Sequence, residues 1–505
     1  MIKPVVHTHS QRTSVVFMTP PVTLEERYGA LAASGSCTPC LASLILAALV
    51  RKAGYTVGVI DAAAEGLTFT EALERLEPFQ PKLIAFTTTT LTTLPADRFA
   101  RMAKDRWQDL IAAIGGPHAT AIPEETLQVC PALDIAAVNE GERTILQILE
   151  AVEKGERDFS GIHGVVYRDR DGGIGRTPPP QTFKDLDSLP FPAWDLLPGF
   201  PQNYSPGYFK VRQLPSTSFV SSRGCPFECS FCDTSVFGQK IRSHSAEYMV
   251  DLFEYLNRRF GIRDVTFEDD TFMVYRKNVE RFCELLLSKD LKMTWACNSR
   301  VNLAKPDLLR TMREAGCWHI SYGIESGSQM ILDHEDKKVT LEQIADGICN
   351  TAKAGIAPKG FFIVGHPRET RETLHATYNL TQSLPFADIS VTCMTPFPGS
   401  PLARTAHEFG AFENDWTRMN LLNPIFIPHG LTQDDLTWWL NKILRDFYFR
   451  PRTVYSYMMR VLKNPSPQFL KGLARSAYAL TLTVLKQKRN GAAGAALSRN
   501  TGVCS

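Results

Sequence analysis

Short apolar runs bounded by Gly, Pro or Asp alternate with amphipathic stretches along the first 150 residues. Five runs read as strands: 14–18, 55–62, 82–90, 110–116 and 134–139. Between them, 39–53, 69–78, 93–108, the segment EETLQVC and the segment ERTILQILEAVEKG have helical spacing of apolar positions. Strands separated by helices predict a parallel, doubly wound α/β sheet over 14–150. Ligands of such sheets sit beyond the C-terminal ends of the strands.

The pattern then breaks. Residues 151–215 are rich in Pro, Gly and Asp (DRDGG, TPPPQ, LPFPAWDLLPGFPQ) and read as a linker carrying one hairpin. From Ser218 the alternation resumes, with six strand candidates: SFVSSRG, DVTFEDD, KMTWACNSR, HISYGIES, APKGFFIVGHP and ADISVTCMTP. Amphipathic helices at 245–260, 276–289, 305–315, 340–354 and 370–383 separate them. This predicts a partial (βα)6 barrel over 216–404, with chemistry at the strand C-termini. Residues 405–505 read as a helical, aromatic and then basic region.

Composition adds little to the fold but something to the surface. Of 505 residues, 44% are hydrophobic and 21% charged, as in soluble α/β proteins. The net charge of +2 excludes a chain built as a polycation for nucleic acid. It conceals an asymmetry: residues 447–505 carry ten Lys or Arg and no acid, which leaves −8 on the rest. The N-terminus lacks the apolar core of a signal peptide and no 18-residue apolar run occurs, so a cytoplasmic location is expected. Twelve Cys there are expected to be reduced, and two groups are clustered: Cys37/Cys40 and Cys225/Cys229/Cys232.

The second group lies in SSRGCPFECSFCDTS, directly after the first barrel strand. Three thiolates on one short loop can hold three irons of a [4Fe–4S] cluster and leave the fourth open to a small molecule. A zinc site lacking its fourth ligand is the alternative. With Phe231 before its third Cys, the loop resembles that of the radical SAM superfamily, and the resemblance spans about 218–400. It implies that S-adenosylmethionine binds the open iron and is cleaved by one electron to methionine and a 5′-deoxyadenosyl radical.

Later segments fit that family in order. GIESGS resembles the fourth-strand segment whose Glu contacts the ribose or amino group of S-adenosylmethionine, which carries that role to Glu325. Asn298 and Arg300 end the third strand. FFIVGHPRET resembles the fifth-strand segment near the adenine, with Gly365 and Pro367 in place and a backbone contact implied at Gly365. Asp269 and Asp270 end the second strand, either for function or as a helix N-cap.

A doubly wound domain before such a barrel resembles the cobalamin-binding radical SAM subfamily, through VVFMTPP, IGGPHATAIPEE and VNEGERT. The resemblance implies a corrinoid at Gly115 and Gly116, where backbone must approach a flat ligand, with hydroxyls from Thr87–Thr90, Thr88 among them. The Asp-x-His-x-x-Gly loop of base-off cobalamin enzymes is absent, and His118 is a candidate axial neighbour or a packing residue. Cys37 and Cys40 are read as structural. The C-terminal segments resemble anaerobic magnesium-protoporphyrin monomethyl ester cyclase and its relatives.

The expected activity is a cobalamin-dependent radical SAM reaction, with methyl transfer to an unactivated carbon. The rival is oxidative cyclisation or rearrangement of a tetrapyrrole or isoprenoid. A methylthiotransferase on RNA or protein would need a second Cys triad in the N-terminal domain, where only Cys37, Cys40 and Cys130 stand. Expected partners are a small, hydrophobic substrate (tetrapyrrole, isoprenoid or lipid) and a one-electron donor such as flavodoxin or ferredoxin, and no nucleic acid. Residues 453–489 alternate aliphatics with Lys or Arg, a pattern that suits peripheral contact at the inner membrane face, or a cap paired with the acidic body.

Overall fold

The computed structural model describes residues 12–463, apart from 30, 31, 33, 34, 36, 205–210 and 290. The basic segment beyond 463, with most of its predicted membrane-facing pattern, lies outside the described residues.

The first sheet contains β1 (Val15–Thr19), β2 (Val57–Asp61), β3 (Leu83–Thr87), β4 (Ile111–Gly115), β5 (Ile135–Ala137), β6 (Val165–Arg168) and β7 (Ile174–Arg176). Their order is β2-β1-β3-β4-β5-β6-β7, with the first five parallel. Alternate residues feed two cores, as a period of two requires. Val15, Phe17, Leu83 and Ala85 pack on the side of helices Leu41–Lys52 and Gly141–Glu153. Val16, Met18, Ile84 and Phe86 pack on the side of helices Phe69–Leu76 and Thr90–Arg106. Strand order reverses between β1 and β3, so the ligand crevice of this topology opens there, beyond the strand C-termini.

Two details differ from the sequence reading. The hairpin expected within the linker forms as β6 and β7, but β6 pairs antiparallel with β5 and extends the first sheet. The third strand stops at Thr87, because Thr90 already begins the next helix.

The second sheet is all parallel and open, in the order β15-β14-β13-β12-β11-β8. Its strands are β8 (Ser216–Phe219), β11 (Asp264–Phe267), β12 (Thr294–Ser299), β13 (Cys317–Glu325), β14 (Ala357–Val364) and β15 (Asp388–Cys393). Helices Ala246–Phe260, Arg276–Ser288, Pro306–Glu314, Leu341–Lys353 and Arg371–Ser383 alternate with them, the layout expected of a half-barrel. A two-stranded ribbon, β9 (Ser222–Arg223) with β10 (Arg242–Ser243), brackets the Cys loop.

The C-terminal region is not wholly helical. β16 (Gly410–Phe412) and β17 (Phe426–Pro428) form a hairpin between helices Pro401–Phe409 and Gln433–Tyr448. Gly410 permits it: a Cβ there would lie 2.1 Å from the Ile427 carbonyl oxygen. Helix Gln433–Tyr448 closes the β15 side of the half-barrel, with the Tyr448 hydroxyl donating to Asp388 at 2.6 Å. Trp416, Phe426, Trp439 and Phe447 are buried by this packing, whereas Trp438 and Phe449 face solvent.

Candidate functional site

The Cys loop leaves the first strand through a turn that only glycine fits. Gly224 has φ +93°, and a Cβ there would meet the Lys240 carbonyl oxygen at 2.6 Å. The Cys225 N–H donates to the Gly238 carbonyl at 3.2 Å, and the Cys232 N–H to Cys229 at 3.0 Å. All three thiols are free; Cys229 is buried, Cys225 half-buried and Cys232 exposed.

Two cations stand beside them. Arg300 stacks over the Phe227 ring at 3.6 Å, donates to the Lys337 carbonyl and approaches Cys229 Sγ at 3.7 Å. A hydrogen bond from Cys232, followed by the charges of Lys337 and Arg300, outweighs burial and draws the Cys229 thiol down to about 6. The same hydrogen bond pushes Cys232 up, and burial raises Cys225. The loop thus presents a ready thiolate in positive surroundings, the donor set an anionic iron–sulfur centre needs. Among the described residues no three His, Cys, Asp or Glu side chains converge on one ion position. A cluster takes one thiolate per iron, so it does not require such convergence, whereas zinc does.

Glu325 ends β13 with φ +68°, after a break in register with β14. Its carboxylate turns toward Lys337 Nζ at 2.7 Å, and both side chains are buried. Asn298 donates to Glu268 at 3.0 Å, joining the ends of β12 and β11. Asp269 is not a helix cap. It accepts from the Ser221 N–H (3.1 Å) and hydroxyl (2.9 Å) and from the Ser222 hydroxyl, fastening β11 to the chain just before the Cys loop. Burial raises its carboxyl to about 6. Gly365 has φ +89°, and its N–H is already taken by the Glu369 carboxylate. A Cβ at Gly365 would meet Leu436 at 3.1 Å, so packing of the C-terminal helix also needs this glycine.

At the C-terminal edge of the first sheet, Thr88 donates its N–H to Gly115 at 2.9 Å. Gly116 has φ +111°, and a Cβ there would lie 2.3 Å from the Thr88 carbonyl oxygen. The threonine hydroxyls are engaged within the protein, because the run spans a strand end and a helix start. Thr87 pairs with Ser43 at 3.0 Å, and Thr90 meets His118 Nδ1 at 3.2 Å. His118 is buried edge-on against Trp416 at 4.4 Å, and burial lowers its imidazole to about 4, so it is neutral. Its Nε2, and Asp61 Oδ2 at the end of β2, are buried with no hydrogen-bond partner among the described residues. Two orphaned polar atoms at this edge fit a corrinoid, whose periphery carries many amides. Cys40 is half-buried and accepts from the Ser43 hydroxyl, and burial raises the thiols of both Cys40 and Cys37.

Sequence reading missed the residues that join the two units. Arg223, two positions before Cys225, is held by Glu140 (2.7 Å) in the turn after β5 and by Glu142 (2.6 Å) in the first turn of helix Gly141–Glu153. It also missed Lys337, and the buried pair Glu335–His366 beside Ser230. An Arg directly before Gly-Cys and two Glu in VNEGE were the visible signals.

Comparison with known proteins agrees with this architecture. The radical SAM superfamily profile matches residues 219–381, and the B12 binding domain profile matches 29–149. An uncharacterized methyltransferase of Pyrococcus horikoshii is 32% identical over 83% of this chain and 90% of its own length. The anaerobic magnesium-protoporphyrin IX monomethyl ester cyclase of Rubrivivax gelatinosus is 30% identical over 86% of this chain and 79% of its own. Among solved structures, the cobalamin-dependent S-adenosylmethionine radical enzyme OxsB superimposes with a TM-score of 0.71 at 17% identity, covering 98% of this chain and 82% of that one. The methyltransferase TsrM from Kitasatospora setae gives 0.70 at 14%, covering 94% and 100%. From these matches and the two folded units, the chain belongs to the cobalamin-binding radical SAM family.

Proposed function

We propose that this protein is a cobalamin-dependent radical SAM enzyme that methylates an unactivated carbon of a small, apolar molecule. The observation that carries the reading is the placement of three free thiols after the first half-barrel strand, directly against the turn that follows β5 of the first sheet. When bound, the cluster supplies one electron to S-adenosylmethionine, and the corrinoid carries a methyl group.

Cys225, Cys229 and Cys232 are assigned as cluster ligands. Arg300 and Lys337 set positive charge beside them, and Lys337 orients the Glu325 carboxylate to accept from an ammonium or ribose hydroxyl. Asn298 and Arg300 fix the end of β12 at the same mouth. Gly365 has only its carbonyl left to offer a purine, since Glu369 takes its N–H. On the first sheet, Gly115, Gly116 and Thr88 shape the edge, while Asp61 and His118 supply polar atoms without partners among the described residues.

Anaerobic reconstitution with iron, sulfide and hydroxocobalamin, followed by assay with S-adenosylmethionine and a reductant, tests the reading. Release of 5′-deoxyadenosine together with S-adenosylhomocysteine is expected, and a chain that takes up no corrinoid overturns it. The similarity to the Rubrivivax cyclase favours a second reading, oxidative cyclisation of a tetrapyrrole. That reading predicts 5′-deoxyadenosine without S-adenosylhomocysteine. Flavodoxin or ferredoxin is the expected reductant class.

Contact with an anionic lipid surface is part of the proposal. Helix Pro451–Lys463 turns Val454, Tyr455, Met458 and Leu462 to solvent, and the chain from 447 onward carries Lys and Arg but no acid. No helix among the described residues is long and apolar enough to cross a membrane. Sedimentation with phosphatidylglycerol vesicles should fall when Tyr455→Glu and Met458→Glu are combined in the full chain. Equal sedimentation removes this part.

A further inference from the structure

The turn after β5 grips the Cys loop at both ends. Asn139 Nδ2 donates to the Ser235 carbonyl at 2.7 Å, three residues after Cys232. Glu140 and Glu142 each accept from one arm of Arg223, two residues before Cys225. Glu140 also accepts from Arg242 at 2.7 Å, on the strand that pairs with β9. Arg242 and the Phe183 N–H then tie the linker to the same carboxylate system. On its other side the turn is anchored in the first sheet, where the Asn139 N–H donates to Thr120 Oγ1 at 3.0 Å. Thr120 lies in the helix Pro117–Ala121, which starts directly after Gly116 and contains His118.

All four charged side chains are less than a tenth exposed. Burying two guanidinium and two carboxylate groups costs desolvation of several kcal/mol per ion, which pairing only roughly offsets. Such a network is poor glue. It is a good gauge, because an arginine fork bound to two carboxylates fixes distance and orientation together. Asn139 holds φ +63°, a left-handed conformation that asparagine tolerates and that aims its amide at the loop.

We propose that Asn139, Glu140 and Glu142 are positioning residues that register the Cys loop against the corrinoid edge of the first sheet, so that both centres address one substrate carbon. The inference rests on the functional reading above. A reaction that uses two centres on one carbon is sensitive to misplacement of about 1 Å. The clasp is built from the segments that border both sites, whereas adhesion between the two units alone would be served by apolar packing, which the shared core already provides.

Electron paramagnetic resonance of the full chain carrying reduced cluster and cob(II)alamin tests it, because both centres are paramagnetic and their dipolar interaction reports separation. The native chain should give one narrow distance distribution. Glu142→Gln and Asn139→Gly should broaden it while iron and corrinoid contents stay at native levels. Glu150→Gln, on the exposed face of the same helix, should behave as the native chain. If Glu142→Gln fails to fold, Asn139→Gly decides, since it keeps the left-handed backbone and removes only one side-chain hydrogen bond. A distribution as narrow as the native one in a folded, loaded variant overturns the clasp. Failure of the native chain to take up corrinoid is a different result, and it overturns the functional reading and the clasp together.

Discussion

His366 Nδ1 lies 3.2 Å from Glu335 Oε1, and neither side chain is reached by solvent. The pair links the turn after β14 to the middle of the Cys loop, because Glu335 also takes the Ser230 hydroxyl and its carbonyl takes the Ser230 N–H at 3.1 Å. Removing one partner of a buried pair strands the other. Glu335→Ala should therefore cost about 3–5 kcal/mol of stability. Chemical denaturation measures this, and a loss below about 1 kcal/mol would contradict the pair's role.

The same pair predicts a pH dependence. Burial opposes charge on His366, but the hydrogen bond and charge of Glu335 outweigh it and raise the imidazole above its ordinary 6.5. For Glu335, burial is likewise outweighed by His366, and the carboxyl is held below its ordinary 4.5. The histidine's share of stability is complete below 6.5 and is lost as pH climbs through its raised folded value. The glutamate's share is complete above 4.5 and is lost as pH falls through its depressed folded value. Both contribute in full between those limits, so the stability gap between native chain and Glu335→Gln should be widest near pH ~5.5 and narrower near pH ~9. A gap that is flat with pH contradicts the assignment.

Adjacent glycines should respond differently to alanine. Gly116→Ala forces a Cβ to within 2.3 Å of the Thr88 carbonyl oxygen at positive φ, and such strain costs about 1–3 kcal/mol or more. At Gly115 the nearest atom to an added Cβ is Ala137 Cβ at 3.8 Å, ordinary contact. That variant should stay within about 1 kcal/mol of the native chain. Equal losses by thermal or chemical unfolding would show that the Thr88 approach does not set the requirement.

Each of Cys225→Ala, Cys229→Ala and Cys232→Ala should lose cluster iron and the release of 5′-deoxyadenosine. Cys349→Ala, whose thiol lies outside the loop on helix Leu341–Lys353, should retain both. Iron analysis and chromatography of the nucleoside decide, and retention of full activity by any loop variant would remove that ligand from the set.

His118 is expected to shape the corrinoid edge as a neutral ring. With its imidazole held near 4 by burial, it does not titrate around neutrality. The absorption spectrum of bound corrinoid should therefore be constant between pH ~5.5 and ~8 as far as this residue is concerned, and His118→Ala should leave that spectrum unchanged. A spectral shift in His118→Ala would make the ring a cobalt neighbour after all.

Much of this architecture was legible in the pattern of apolar positions. Parallel strands buried on both faces leave uninterrupted runs such as LIAAIGG, and their helices leave amphipathic ones, so both sheets emerged strand by strand. The Cys loop was legible because three ligands of one cofactor share one short segment. What stayed hidden depends on partners brought together by folding. Arg223 meets Glu142 across 81 positions and Lys359 meets Asp388 at 2.8 Å between neighbouring strands; the charges can be seen in the sequence, but nothing local says which of them pair. The β6–β7 hairpin looked like part of the linker because only Val165 and Val166 of it are buried, and the rest is half-exposed or exposed. The threonines of 87–90 looked like free donors because a strand end and a helix start share one run of identical residues.

Trp416 caps His118 from nearly three hundred residues further along the chain. A ribosome delivers the first sheet early, and domains fold in that order during synthesis. The cap arrives only after the half-barrel has been made. The His118 ring therefore lacks this cover on the nascent chain and has it on the finished one, so the history of the polypeptide, as well as its final shape, governs when that side chain is open.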